Sequence, residues 1–314
     1  MTDVVTRAQV AILAMLLEVD PTELAGLERL GAVPVMRLRE RISEELFDTL
    51  APTFARVSKL APITPNALAI TVAQKAIPPR VAGLGGGAIG MDHPDRATGI
   101  LGGMSPSYLA DAAPYLDPRV IPVFAPKIPA ELLIPVAEEL LRRGDYLTAS
   151  RFVEQAPEEL VRAFDLGLDD DEGLIRTAAL LVSAQRLSEI LRTVRPARRE
   201  RMITSAAAGS PEAIVAALST LARIDHDLAA PLSNLLFSGD ADSIARVLDA
   251  AITNDAVPEL LDLTQHLTAD TLDRIAATHQ LDAESSWRAV EQAAIGERRR
   301  AAAQRLGDAR PKTP

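Results

Sequence analysis

Ser210-Pro211-Glu212-Ala213-Ile214-Val215-Ala216-Ala217-Leu218-Ser219-Thr220-Leu221 reads as one complete short helix. The Ser210 hydroxyl can accept one of the orphan N–H groups of the first turn. Pro211 sits where its missing N–H costs nothing. Ile214, Leu218 and Leu221 recur at helical spacing and share one face. A helix this short buries a single apolar stripe and needs neighbours to keep that stripe dry.

The same punctuation runs through the chain. Asp20-Pro21, Thr64-Pro65, Ser105-Pro106 and Asp117-Pro118 each place proline after a capping residue. Asp20-Pro21-Thr22-Glu23 adds the carboxylate of a capping box. Pro129-Ala130-Glu131 and Pro157-Glu158-Glu159 begin in the same way with weaker caps. From Pro94 through Pro106 and Pro118 to Pro129 the starts are about 12 residues apart, one short helix plus its turn. Starts near Asp240, Asp255, Thr268 and Asp282 continue a slightly longer beat, with Ile244, Val247, Leu248 and Ala251 on one face. The pattern predicts an all-α fold, a superhelical array (α-solenoid) of short helices. Pro122 lies too deep in its unit to be harmless, so Pro118–Ile128 is expected to be kinked, with a strand over Arg119–Phe124 as the alternative. Val4–Val19 reads as a helix apolar on most sides, and Leu281–Leu306 as one long helix with Trp287, Val290 and Ala294 inward. Three segments follow: an N-terminal helical segment over 1–61, the repeat array over 62–280, and a C-terminal long helix with a frayed tail over 281–314.

Composition agrees with this reading and narrows the function. Apolar residues make up 48% of the chain but aromatics only 3%, so the core is aliphatic, as closely packed helices allow. The net charge of −10 repels phosphate backbones, and no nucleic-acid partner is expected. The absence of cysteine removes disulfides, thiolate metal sites and cysteine nucleophiles. Met1-Thr2-Asp3 does not resemble a signal peptide, and Leu60–Gln74 is too short and too proline-broken to span a bilayer. A cytoplasmic location without a membrane span is the expectation.

The segments that carry chemistry are few. Gly85, Gly87 and Gly90 match the spacing of a dinucleotide fingerprint, which needs a strand before it and a helix after it. Asp92-His93-Pro94 cuts that helix off, so Pro79–Met91 also reads as a repeat helix whose glycines admit close backbone approach, or as a gate over a pocket near Gly83–Met104. The histidines, His93, His226, His266 and His279, show no i, i+4 pair, and Asp225-His226-Asp227 reads as a capped helix start. Asp169-Asp170-Asp171-Glu172 reads as a solvated helix start. Arg143, Tyr146 and Arg151 form the densest mixture of guanidinium and aromatic groups, and are the candidate site for a carboxylate or phosphate ligand. No catalytic residue, cofactor or metal is assigned.

Pro129-Ala130-Glu131-Leu132-Leu133 and Pro157-Glu158-Glu159-Leu160-Val161 are short proline-led helices with paired aliphatics soon after the start. In this they resemble the cytosolic N-terminal domain of MgtE-type magnesium transporters, a superhelix of short helices in the style of HEAT arrays. The resemblance implies the fold and a regulatory role. It carries over no cation-binding residue, because no position matches that family's carboxylates. The leading expectation is therefore a non-enzymatic helical-repeat protein that binds a protein partner or itself, as a homodimer. Binding of a small apolar or anionic ligand, and a dinucleotide-dependent enzyme using Gly85–Gly90, are the alternatives.

Overall fold

The computed structural model describes residues 3–60 and 64–309. The expected boundary at residue 61 and residues 310–314 of the tail expected to fray lie outside the described residues. Among the described residues there is no strand, and no helix is long and apolar enough to cross a membrane. The residues fall into two compact units, one over Val4–Asp170 and one from Asp171 onward.

The first unit begins with α1 (Val4–Leu17), a ten-residue 3₁₀ segment (Pro21–Leu30) and α2 (Ala32–Leu60). The Asp20 capping box forms as the sequence predicts, with Asp20 Oδ1 accepting from Thr22 N at 2.9 Å and Asp20 N donating to Glu23 Oε1 at 3.2 Å. The helix it starts is 3₁₀, not α. Val10, Leu13 and Val35 form a dry contact between α1 and α2, with Leu24, Leu27 and Ile42 against it. Next come α3 (Asn66–Ala76), α4 (Pro79–Asp92), α5 (Pro94–Leu101) and α6 (Pro106–Ala112). After a 3₁₀ turn over Pro118–Val120 follow α7 (Ile121–Phe124), α8 (Ala130–Arg142), α9 (Tyr146–Gln155) and α10 (Glu158–Gly167). Helices stack on the next but one: α2 on α4, α4 on α6, α6 on α8, α8 on α10, and α3 on α5. That alternation is how stacked helix pairs share one core.

The second unit repeats the scheme. Its helices are α11 (Asp171–Ala178), α12 (Ala184–Thr193), α13 (Pro196–Ala208), α14 (Pro211–Leu221), α15 (His226–Leu236), α16 (Ala241–Thr253), α17 (Val257–Leu263), α18 (Ala269–Ala277), α19 (Glu284–Ala293) and α20 (Glu297–Ala309). α11 packs on α13, α13 on α15, α14 on α16, α16 on α18, and α18 on α20. The predicted caps close: Ser210 Oγ accepts from Ala213 N at 3.2 Å, Asp240 Oδ1 from Ser243 N at 2.9 Å, and Thr268 Oγ1 from Thr271 N at 3.2 Å.

The structure departs from the sequence reading in particular places. α14 buries every residue from Ala213 to Leu221 instead of one stripe, because α11, α13, α16 and α17 surround it. The expected single C-terminal helix breaks into α19 and α20 at Gly296, whose φ of 87° belongs to the left-handed region. Pro118–Lys127 is a broken helical run of 3₁₀ and α turns, so the kink forms and the strand does not. Pro65, Pro129 and Pro157 occupy the N-cap position, one residue before their helices begin.

Candidate functional site

The three residues singled out by sequence lie at the end of α8 (Arg143) and within α9 (Tyr146 and Arg151). Gly144, at φ 71°, lets the chain reverse, and Asp145 caps α9 by accepting from Thr148 N at 3.1 Å. Arg143 is consumed by its neighbours. Its Nε donates to Glu139 Oε1 at 2.7 Å, Nη2 donates to Ser107 Oγ at 2.7 Å, and Nη1 bonds Asp111. Arg142 also donates to Glu139 through Nε and Nη2, at 2.7 Å each. These two guanidiniums hold the Glu139 carboxyl down at about 2. Arg143 thus pins α8 to α6. Tyr146 is half-buried with its ring beside Gly144.

Arg151 behaves differently. Its Nη1 donates to the Pro114 carbonyl at 2.8 Å and its Nη2 to the Leu116 carbonyl at 3.2 Å, with no carboxylate in ion-pair reach among the described residues. Burial, and then repulsion from Arg39, push its pKa down to about 10. Arg39, on the buried face of α2, was not anticipated: its position reads as one more charge in the Arg37–Glu45 run. In the fold it is only 9% exposed, and its Nη1 donates to Gln9 Oε1 at 2.8 Å.

The structure also joins two histidines that are distant in sequence. His226 Nδ1 and His266 Nδ1 lie 2.8 Å apart, with ring centroids 5.0 Å apart. Gln265 Nε2 donates to the Asp262 carbonyl at 3.1 Å and faces His266 Nε2 at 2.9 Å. An amide NH₂ only donates, so His266 Nε2 accepts, its proton sits on Nδ1, and that proton is given to His226 Nδ1. Burial, followed by the charges of His226 and Arg298, lowers the His266 pKa. The i, i+4 rule could not find this pair, because α15 and the 3₁₀ turn Thr264–His266 bring it together from 40 residues apart. No group of three or more metal-ligating side chains occurs among the described residues.

Two sequence readings need correction here. Asp225 stands at the N-cap of α15, but its side chain makes no capping bond; with Asp227 it grips Arg192, at 2.7 and 2.9 Å. Asp169 and Asp170 are exposed as expected, yet Asp171 is not a solvated charge. It forms an ion pair with Arg198, which is only 3% exposed, while Glu172 Oε1 accepts from Ser210 Oγ at 2.8 Å. A buried guanidinium draws the carboxylate inward.

The fingerprint glycines lie inside α4, and α3, not a strand, precedes them. A Cβ at Gly83 would strike the Ala112 carbonyl oxygen, and one at Gly87 would lie 3.3 Å from Val120 Cγ1. Gly83 and Gly87 allow the close packing of α4 on α6 and the 3₁₀ turns beyond it. Compared with protein-family models, curated proteins and solved structures, the chain matches none of them.

Proposed function

We propose that this chain is a non-enzymatic helical-repeat module of the cytoplasm that pairs with a second copy of itself through α2. The observation that supports this is the outward apolar surface of the first unit. Leu38 is 38% and Leu46 is 37% exposed on either side of the half-buried Ile42, spaced i, i+4 and i+8 along α2. Leu30, Val33, Leu68 and Val72 are more exposed still, whereas in the second unit Ile295 alone is a large exposed aliphatic among the described residues.

Charge selects the occupant. Exposed Arg37 and Arg41, with exposed Glu40 between them, leave the N-terminal part of this stretch net positive, and exposed Glu44 and Glu45 make the C-terminal part negative. A two-fold axis near Ile42 turns that gradient into a complement, setting Leu38 of one copy against Leu46 of the other and Arg41 beside Glu45. The superhelical winding and regulatory role implied by the MgtE resemblance belong to the same proposal. Sedimentation velocity over a wide concentration range tests it. A dimer that Leu38→Asp converts to monomer, with unchanged helical circular dichroism, is the expected result. A chain monomeric at every concentration, or a dimer indifferent to Leu38→Asp, overturns it.

A further inference from the structure

His226 opens α15, His266 closes the 3₁₀ turn Thr264–His266, and that turn packs against α15 within the second unit. Asn234, further along α15, fixes the approach. Its Nδ2 donates to the His266 carbonyl at 2.9 Å, and its Oδ1 accepts from Thr268 N at 2.9 Å. His266 is thereby held from its backbone, and its Nδ1 meets His226 Nδ1 at 2.8 Å with the ring planes 37° apart. A contact this short between two ring nitrogens needs a bare lone pair on at least one of them. Two imidazole nitrogens converging in this way also meet the first requirement of a metal chelate. With metal–nitrogen bonds of about 2.0 Å, nitrogens on adjacent coordination positions lie about 2.8 Å apart at a right angle and about 3.3 Å apart at the tetrahedral angle. The observed separation falls at the right-angle limit.

We propose that His226 and His266 chelate one divalent transition-metal ion of the copper, nickel and zinc group through their Nδ1 atoms. Imidazole suits these ions, and the right-angle spacing favours the tetragonal geometry of copper(II) and nickel(II) over the tetrahedral one of zinc. His226 is exposed and His266 half-buried, so water fills the positions that the two nitrogens leave open. Small rotations of the two rings turn both Nδ1 lone pairs toward the ion, and the His266 proton passes from Nδ1 to Nε2. Gln265, exposed and 2.9 Å from that Nε2, turns its amide over so that the oxygen accepts the relocated proton. Asp225 and Asp227 flank His226 and outnumber Arg192, the cation they share, while Arg298 is the cation whose field reaches His266. The site lies wholly within the second unit, so it is independent of self-pairing through α2.

Isothermal titration of the full chain, prepared without a histidine tag, with copper(II), nickel(II) and zinc(II) chloride at a pH above the ordinary imidazole range tests the site. The account expects saturable binding of one ion per chain, tightest for copper(II). It also expects nitrogen splitting from two imidazoles in the electron paramagnetic resonance of the copper complex. His226→Gln and His266→Gln each remove one of the two chelating ligands and should weaken binding about tenfold or more, with the parent's helical circular dichroism retained. His93→Gln and His279→Gln, which remove the other two histidines, should bind like the parent. The absence of saturable binding for all three ions overturns the site. So does a His226→Gln protein that binds like the parent, or a loss in His93→Gln or His279→Gln equal to that in His226→Gln.

Discussion

Alanine at Gly83 and alanine at Gly86 are the same chemical change three residues apart on α4, and the structure requires opposite outcomes. At Gly83 the new Cβ meets the Ala112 carbonyl oxygen, Tyr115 Cβ at 2.8 Å and Tyr115 C at 3.2 Å. These are backbone and near-backbone atoms that no rotamer change can move. Overpacking of this kind costs about 1–3 kcal/mol, against which the better helix propensity of alanine returns about 1 kcal/mol. Contact this close with backbone atoms takes the upper end of that range, so the net is a loss of about 2 kcal/mol for G83A if α4 and α6 part slightly, and more if they cannot. At Gly86 the nearest atom is Leu116 Cδ1 at 3.9 Å, an ordinary contact, so G86A keeps most of its gain of about 1 kcal/mol. For a unit of this size 1 kcal/mol corresponds to about 2–4 °C, so G83A should melt about 4–8 °C below the parent and G86A about 2–4 °C above it. Thermal denaturation followed by circular dichroism at 222 nm reads both. Variants that shift in the same direction, or a G83A protein as stable as the parent, would refute the close approach of α4 to α6.

Other consequences concern ionisation. Glu259 on α17 has a buried Oε2 without a hydrogen-bond partner, and burial raises its pKa. The folded state therefore holds a proton that the unfolded chain releases, so this contribution is present below about pH 4.5 and is lost as pH rises through the folded value. Glu259→Gln should add about 1 kcal/mol at pH 7 and almost nothing at pH 4, measured by urea denaturation at the two pH values. His266 has a lowered pKa, so the unfolded chain binds the proton first and stability declines as pH falls below about 6.5 toward the folded value. An NMR titration should find His266 below the ordinary imidazole range and moved upward in His226→Gln; an unshifted His266 in the parent would refute its burial beside His226.

Proline and cap chemistry is local, which is why so much of the architecture is legible in the sequence. Ser210, Asp240 and Thr268 act on N–H groups three residues away, and a reader of the chain sees both partners at once. The same logic places the kink at Pro122 and the close-packed glycines of α4. What stays hidden depends on neighbours distant in sequence. The burial of α14 on every side follows from the helices packed around it, and the break at Gly296 shows only that a left-handed residue was needed there. Of the candidate ligand residues, Arg143 and Arg151 look alike in sequence, and only their surroundings separate them. Asp111 and Glu139 satisfy the first, while Arg39 opposes the second. The His226–His266 contact carries no local signal at all.

Self-pairing through α2 is the claim from which the proposed role follows, and the cysteine-free chain makes it directly measurable. Leu38→Cys and Leu46→Cys proteins, each prepared alone and then mixed in equal amounts under mild oxidation, report the register of the two helices. The account predicts a disulfide-linked dimer that forms much faster in the mixture than in either protein alone, since Leu38 of one copy faces Leu46 of the other. Equal, concentration-driven crosslinking in all three samples, or none in any, would contradict it.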